Sequence, residues 1–121
     1  MTGADSIPRA NRAVVARKKL EGYVLNPEHE VGRHKARVFA AALGIHQGDW
    51  QYLRDRLKAG VVSAPVSTVR ETPWGALYEV VVAVDGLNDE THRVMSAWLL
   101  ASDDEPPRLV TAYVLDSPPG A

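Results

Sequence analysis

The sequence predicts an α+β fold in which N-terminal helices pack on one face of a four-stranded antiparallel meander sheet. Three observations carry this: helical periodicity is confined to the stretch before Gly60, alternation with β-branched residues follows it, and short turn signals divide the alternating part. Met1 to Pro8, small and polar, reads as a disordered lead, residues 9–116 as one domain, and residues 117–121 as a tail. Arg9 to Glu21 has a helix-compatible order that Gly22 can end. The next helix begins after the turn signal Asn26-Pro27, runs from about Val31 to Leu43 and stops at Gly44. Asp49 is placed to cap a third, in which Trp50, Leu53 and Leu57 share a face and Gly60 supplies the stop.

Strands are expected at about 64–71, 76–84, 91–101 and 108–115, with Thr72-Pro-Trp-Gly75 and Asp85 to Glu90 as hairpin turns. Alternation assigns Met95, Ala97, Leu99, Val110, Ala112 and Val114 to the buried face. His92, Val94, Ser96, Trp98, Leu109, Thr111 and Tyr113 then fall on the open face, with Glu79 on the second strand beside Leu77 and Val81. Trp74 stands at the first hairpin tip, either folded back on its own hairpin or free to anchor a partner.

The chain of 121 residues suits one domain and one site. It has no cysteine, which excludes disulfides, thiolate metal sites and a cysteine nucleophile. No apolar run approaches the ~18 residues of a membrane span, and no apolar signal-peptide core is present, so a cytoplasmic protein is expected. Net charge is −1, but residues 1–60 carry eleven Lys/Arg against six Asp/Glu and residues 61–121 three against nine. That split fits either a basic face for phosphate or ordinary solvated faces.

Two constellations can carry chemistry. At the start of the Val31–Leu43 helix, His29, Arg33, His34 and Lys35 crowd into about two turns, where free N–H groups add to the positive charge. Lys35 also falls within the apolar stripe of Val31, Val38 and Ala42, so its amine must snorkel out or enter a lined site. Such a set can clamp phosphate and move a proton; a surface helix with solvated charges and a capping histidine is the plain alternative. The second constellation is the open sheet face, where Glu79 and His92 can pair as acid and base and the rings of Trp98 and Tyr113 can stack on a nucleobase, with a simply wetted face as the alternative. His29 and His34 have the wrong spacing for one helix face, no HExxH motif is present, and no metal or cofactor is expected.

The run Leu20-Glu-Gly-Tyr-Val-Leu-Asn-Pro-Glu-His29, with Gly32-Arg-His-Lys-Ala36, Phe39, Leu43-Gly44 and Pro107-Arg-Leu-Val-Thr-Ala-Tyr113, resembles a small bacterial domain of unknown function that occurs free-standing and at the C-terminal ends of polymorphic toxins. That domain is similar in layout to the barnase, EndoU, colicin and RelE group of RNA-cleaving folds. His29, Arg33, Lys35, Arg108 and Thr111 match patterned positions of the family, although Glu30 stands where it often has proline. The resemblance implies a metal-independent endoribonuclease-like toxin domain cleaving RNA by 2′-hydroxyl attack, with a cognate antitoxin or immunity protein as partner. His29, Lys35 and Thr111 are then the candidate catalytic residues, and Arg33, His34, Arg108, Tyr113 and Trp98 the candidate substrate contacts. A chain with its own Met1 is expected in a toxin–antitoxin or housekeeping setting rather than one of contact delivery. The rival expectation is a non-catalytic protein-binding or immunity-type module on the same fold.

Overall fold

The computed structural model describes residues 5–116; the predicted tail and the first four residues of the predicted lead lie outside that range. Helical elements precede one antiparallel sheet. A 3-10 turn, Ala10–Arg12, leads to helix α1 (Arg17–Lys19), which runs directly into a π turn, Leu20–Val24. Helix α2 is Arg33–Leu43, a second 3-10 turn is Gln47–Asp49, and helix α3 is Trp50–Val61. Strands β1 (Val66–Thr72), β2 (Gly75–Asp85), β3 (Thr91–Leu100) and β4 (Arg108–Val114) follow in the spatial order β1-β2-β3-β4. The meander is therefore as expected, and the strand ends agree with the sequence pattern to within two residues.

The core lies between the helices and one sheet face. Leu20 and Val24 from the π turn, Phe39 and Leu43 from α2, and Leu53, Leu57 and Val61 from α3 meet Val80, Val82, Val84, Val94, Trp98 and Ala112, all essentially inaccessible to solvent. Packing of amphipathic helices on one sheet face is what lets strands with such different faces coexist in a single layer.

Four expectations are corrected. Arg9 to Glu21 is not one helix: Val14 is extended and bridges Arg108 in parallel, while Ala13 and Val15 are buried on either side of it. Gly22 does not stop the helix, which passes through it as the π turn. Ile7, assigned to the lead, is buried, and the Asp5 carbonyl accepts from the Val66 N–H. Val31 precedes α2 and is 61% exposed, so the apolar face of that helix is Ala36, Phe39, Ala42 and Leu43.

The remaining corrections concern ends and faces. Asp49 reaches back to the His46 N–H at 2.9 Å instead of capping α3, and α3 continues past Gly60, where a Cβ would collide with Val82. On β3 the faces are reversed: Ser96 and Trp98 point into the core, where the indole N–H donates to Ser96 Oγ and that hydroxyl donates to the Val80 carbonyl, each at 2.8 Å. Trp98, satisfied and sealed, has no access to a ligand. On β4 the register slips between Ala97 and Trp98, so Leu109 rather than Val110 stands opposite Trp98 and is buried. One extra residue in a ladder is enough to exchange the two faces beyond it.

Candidate functional site

The Tyr23–His29 segment is shaped by three local devices. Asn26 Oδ1 accepts from the Glu28 N–H at 3.0 Å, closing the turn that Pro27 favours. His29 Nδ1 accepts from the N–H groups of Val31 and Gly32 at 3.0 and 2.9 Å, satisfying donors that the start of α2 would otherwise leave free. Gly32 meets Tyr23 so closely that a Cβ there would lie 2.2 Å from the Tyr23 carbonyl oxygen and 2.8 Å from ring atom Cδ1. The motif residues Asn26, His29 and Gly32 thus serve one end, which is to seat the Tyr23 ring against the front of α2.

Tyr23 is the hub of the group. The His29 ring meets it edge-on with centroids 5.0 Å apart, and Lys35 Nζ lies 5.2 Å from the phenol ring centre. Thr111 reaches the same phenol from β4, at the margin of the sheet against which α2 packs. Partial burial pushes the Tyr23 hydroxyl up, but the polar neighbours Thr111 and Lys35 and the charges of Lys35 and Lys19 outweigh it, and the phenol is held below its ordinary value. Thr111 Oγ1 is buried and has no hydrogen-bond partner of standard geometry among the described residues. A phenolate accepts from a hydroxyl more strongly than a neutral phenol does, so a hydroxyl at this place favours the ionised form.

Two shallow depressions flank this group. One, of about 420 Å³, is lined by Lys18, Lys19, Gly22, Tyr23, His29 and Val31; the other, of about 370 Å³, by His34, Lys35, Val38, Tyr113 and Val114. The first turn of α2 carries Arg33, His34 and Lys35 with no acidic residue. Cations there oppose the helix dipole at ~0.3–1 kcal/mol each, an arrangement that stability does not favour and that an anion would relieve.

Of the residues expected to form the site, His29, Lys35 and Thr111 gather around Tyr23, and His34 and Tyr113 line the adjoining depression. Arg33 does not join them: with Arg37 it lines a separate depression with Leu25, Pro27 and His46. Arg108 is exposed at the start of β4, tied through its backbone to the Val14 segment. Trp98 is in the core. Glu79 and His92 form no pair, since Glu79 stands opposite Ala97 and His92 opposite Val84, five positions and ~17 Å along the ladder. Glu79 instead accepts from Thr68 at 2.7 Å, and His92 lies 3.7 Å from Asp116.

Tyr23 itself, and the flanking Lys18 and Lys19, were not among the expected site residues. The signal available was its place inside the Gly-Tyr-Val-Leu-Asn-Pro run; a phenol gives no sign of reactivity until its neighbours are known. His29 takes the capping place that the sequence offered as the plain alternative. With Nδ1 accepting two backbone N–H groups, the neutral ring carries its proton on Nε2 and offers a donor rather than a base.

Residues 6–116 match the model of a domain of unknown function, DUF6883. The chain belongs to this family. No curated protein matches the DUF6883 chain. Among solved structures, a chain of a contact-dependent growth inhibition toxin and immunity protein complex from Klebsiella pneumoniae 342 is similar with a TM-score of 0.67, covering 84% of this chain and 98% of that one at 12% sequence identity. At that identity the likeness is one of fold. Among the described residues of this DUF6883 domain no helix is long and apolar enough to cross a membrane, and no three His, Asp or Glu side chains gather as a metal site would need.

Proposed function

We propose that this DUF6883 domain is a metal-independent endoribonuclease of toxin type, with Tyr23 and Lys35 as its reactive pair. The observation that carries the reading is the Tyr23 phenol, held below its ordinary value by Lys35, Thr111 and Lys19 beside a depression lined with lysines. In the proposed reaction the Tyr23 phenolate takes the proton of a ribose 2′-hydroxyl, and the 2′-oxygen attacks the adjacent phosphorus. The bond to the 5′-oxygen breaks, and that oxygen takes a proton from the Lys35 ammonium. Transfer of the phenol proton to the Lys35 amine restores the starting pair. Lys18 and Lys19 offset charge on the pentacovalent phosphorane, and the His29 Nε2–H donates to a phosphoryl oxygen. Thr111 positions the phenol.

The test is cleavage of total RNA by the purified protein in EDTA, with wild type cutting and Lys35→Ala at least ten-fold slower. RNA left intact by folded wild-type protein would remove the assignment. The structural neighbour from a toxin and immunity protein complex is consistent with a toxin, and also with the second reading, a protein-binding immunity-type module. The open sheet face favours that second reading at one place: Trp74 is 74% exposed and lines a depression with Leu77, Leu99 and Val110. Growth arrest on induction supports the nuclease; normal growth with one stoichiometric co-purifying protein supports the module.

A further inference from the structure

We infer that the depression between α2 and β4, lined by His34, Lys35, Val38, Tyr113 and Val114, seats the nucleobase next to the scissile phosphate, so that the substrate is RNA unpaired at the cut. The inference rests on the endoribonuclease reading and adds a substrate class to it. The lining is that of a base shelf: Val38 and Val114 form an apolar floor, Tyr113 supplies an exposed ring, and His34 an exposed imidazole. Flat rings on an apolar floor recognise a π-face, which every base has. A volume of about 370 Å³ is at the small end of sites for compact ligands, which run from ~300 to ~1,000 Å³.

Continuity with the reactive group sets what lies beside the base. Lys35 lines the shelf and also touches Tyr23, whose ring lines the depression of Lys18 and Lys19. A phosphate held at Lys35 therefore has a ring shelf on one hand and a cationic hollow on the other, the alternation of base and phosphate along a single strand. An A-form duplex keeps its base faces stacked inside and presents only edges and backbone. A base can reach Tyr113 face-on only if it is unstacked. An acidic peptide fits less well, since Lys35 is the one lysine or arginine among the residues that line the shelf.

The experiment uses the full chain and an oligonucleotide carrying 2-aminopurine, with 2′-deoxyribose throughout so that no internal attack can occur. Titration of wild type is expected to change the fluorescence of the single strand through stacking and to bind the annealed duplex at least ten-fold more weakly. Tyr113→Ala is expected to weaken single-strand binding roughly ten-fold and Tyr113→Trp to preserve it. Tyr113 is exposed, so these variants are expected to fold, which circular dichroism checks. Equal affinity for both strand states, or Tyr113→Ala binding as tightly as wild type, overturns the shelf. A parallel all-ribose oligonucleotide separates the two readings: stacking without cleavage keeps the shelf and removes the nuclease, and cleavage without stacking does the reverse. A partner protein protecting Tyr113 while RNA leaves it unstacked would assign the surface to protein docking and overturn the inference.

Discussion

Of the aromatic rings flanked by cations, Trp50 and Tyr23 differ most in what they can do. Trp50, at the start of α3, has the guanidinium groups of Arg17 and Arg54 at 4.9 and 5.4 Å from its ring, while Tyr23 has the Lys35 amine at 5.2 Å. The distances are alike. Yet an indole keeps its proton and a guanidinium does not release one at any ordinary pH, so the Trp50 cluster can only hold the surface together. A phenol and an ammonium both exchange protons, and here the phenol is held below its ordinary value with a buried hydroxyl from Thr111 beside it. The proton chemistry proposed for Tyr23 rests on residue type and neighbours, not on the geometry of the contact.

The sharpest way to break the comparison is to remove the hydroxyl alone. Tyr23→Phe is expected to lower the RNA cleavage rate by about 100-fold or more, the usual loss when a positioned acid or base is deleted, with little change in the thermal midpoint because the ring still packs on Gly32. Trp50→Phe should leave the rate within about two-fold of wild type, by the rule that substitutions remote from a site act on stability rather than chemistry. Lys35→Arg is next: it keeps the charge but cannot return a proton, and a fall of about ten-fold is expected, whereas Arg54→Lys should leave the rate unchanged. Equal tolerance of both exchanges would show that Lys35, like Arg54, acts only as a charge.

A pH profile sharpens the same contrast with a smaller effect. If the phenolate is the working form, as proposed, the cleavage rate should rise with pH and level off above the folded value for Tyr23, which lies below the ordinary one of ~10. In Thr111→Val the rise should move to higher pH, since a donor to the phenolate is lost. The stability linkage has a defined sign. A folded value below the unfolded one contributes stability that is present above the unfolded value and is lost as pH falls through the folded value. Denaturation of wild type against Tyr23→Phe near pH 10 should therefore show an advantage that fades toward neutrality. His29→Ala is expected to slow cleavage by about ten-fold through loss of the Nε2–H donor, and to cost about 1–2 kcal/mol in urea denaturation through lost capping of α2.

Helix α2 was legible because its apolar period ends at a glycine that adopts the left-handed conformation, φ 66°, at Gly44. The hairpins were legible because turn residues act locally: Thr72 and Gly75 pair across Pro73-Trp74 as the sequence suggests. The faces of β3 were not. Val94, Ser96 and Trp98 alternate as cleanly as Met95, Ala97 and Leu99, and which set is buried depends on Ser96 finding the Val80 carbonyl, a partner on another strand. The break between Arg12 and Arg17 was hidden for a related reason, since Val14 leaves helical geometry to pair with β4, more than ninety residues away in sequence. At the site, His29, Lys35 and Thr111 could be picked from charge and pattern. Tyr23 could not, because its character comes from contacts made by residues 12 and 88 positions further along the chain.

The bridge between Val14 and Arg108 closes part of the outer edge of β4, while β1 at the other end of the sheet is met beyond β2 at its first residue, where the Val66 N–H donates to the Asp5 carbonyl. The rest of β1 is open to strand addition, across the width of the sheet from Tyr23. A protein that docks there leaves the Tyr23 margin uncovered. Under the proposed function, an inhibitor acting by direct occlusion has to approach from the β4 side, where it meets lysines.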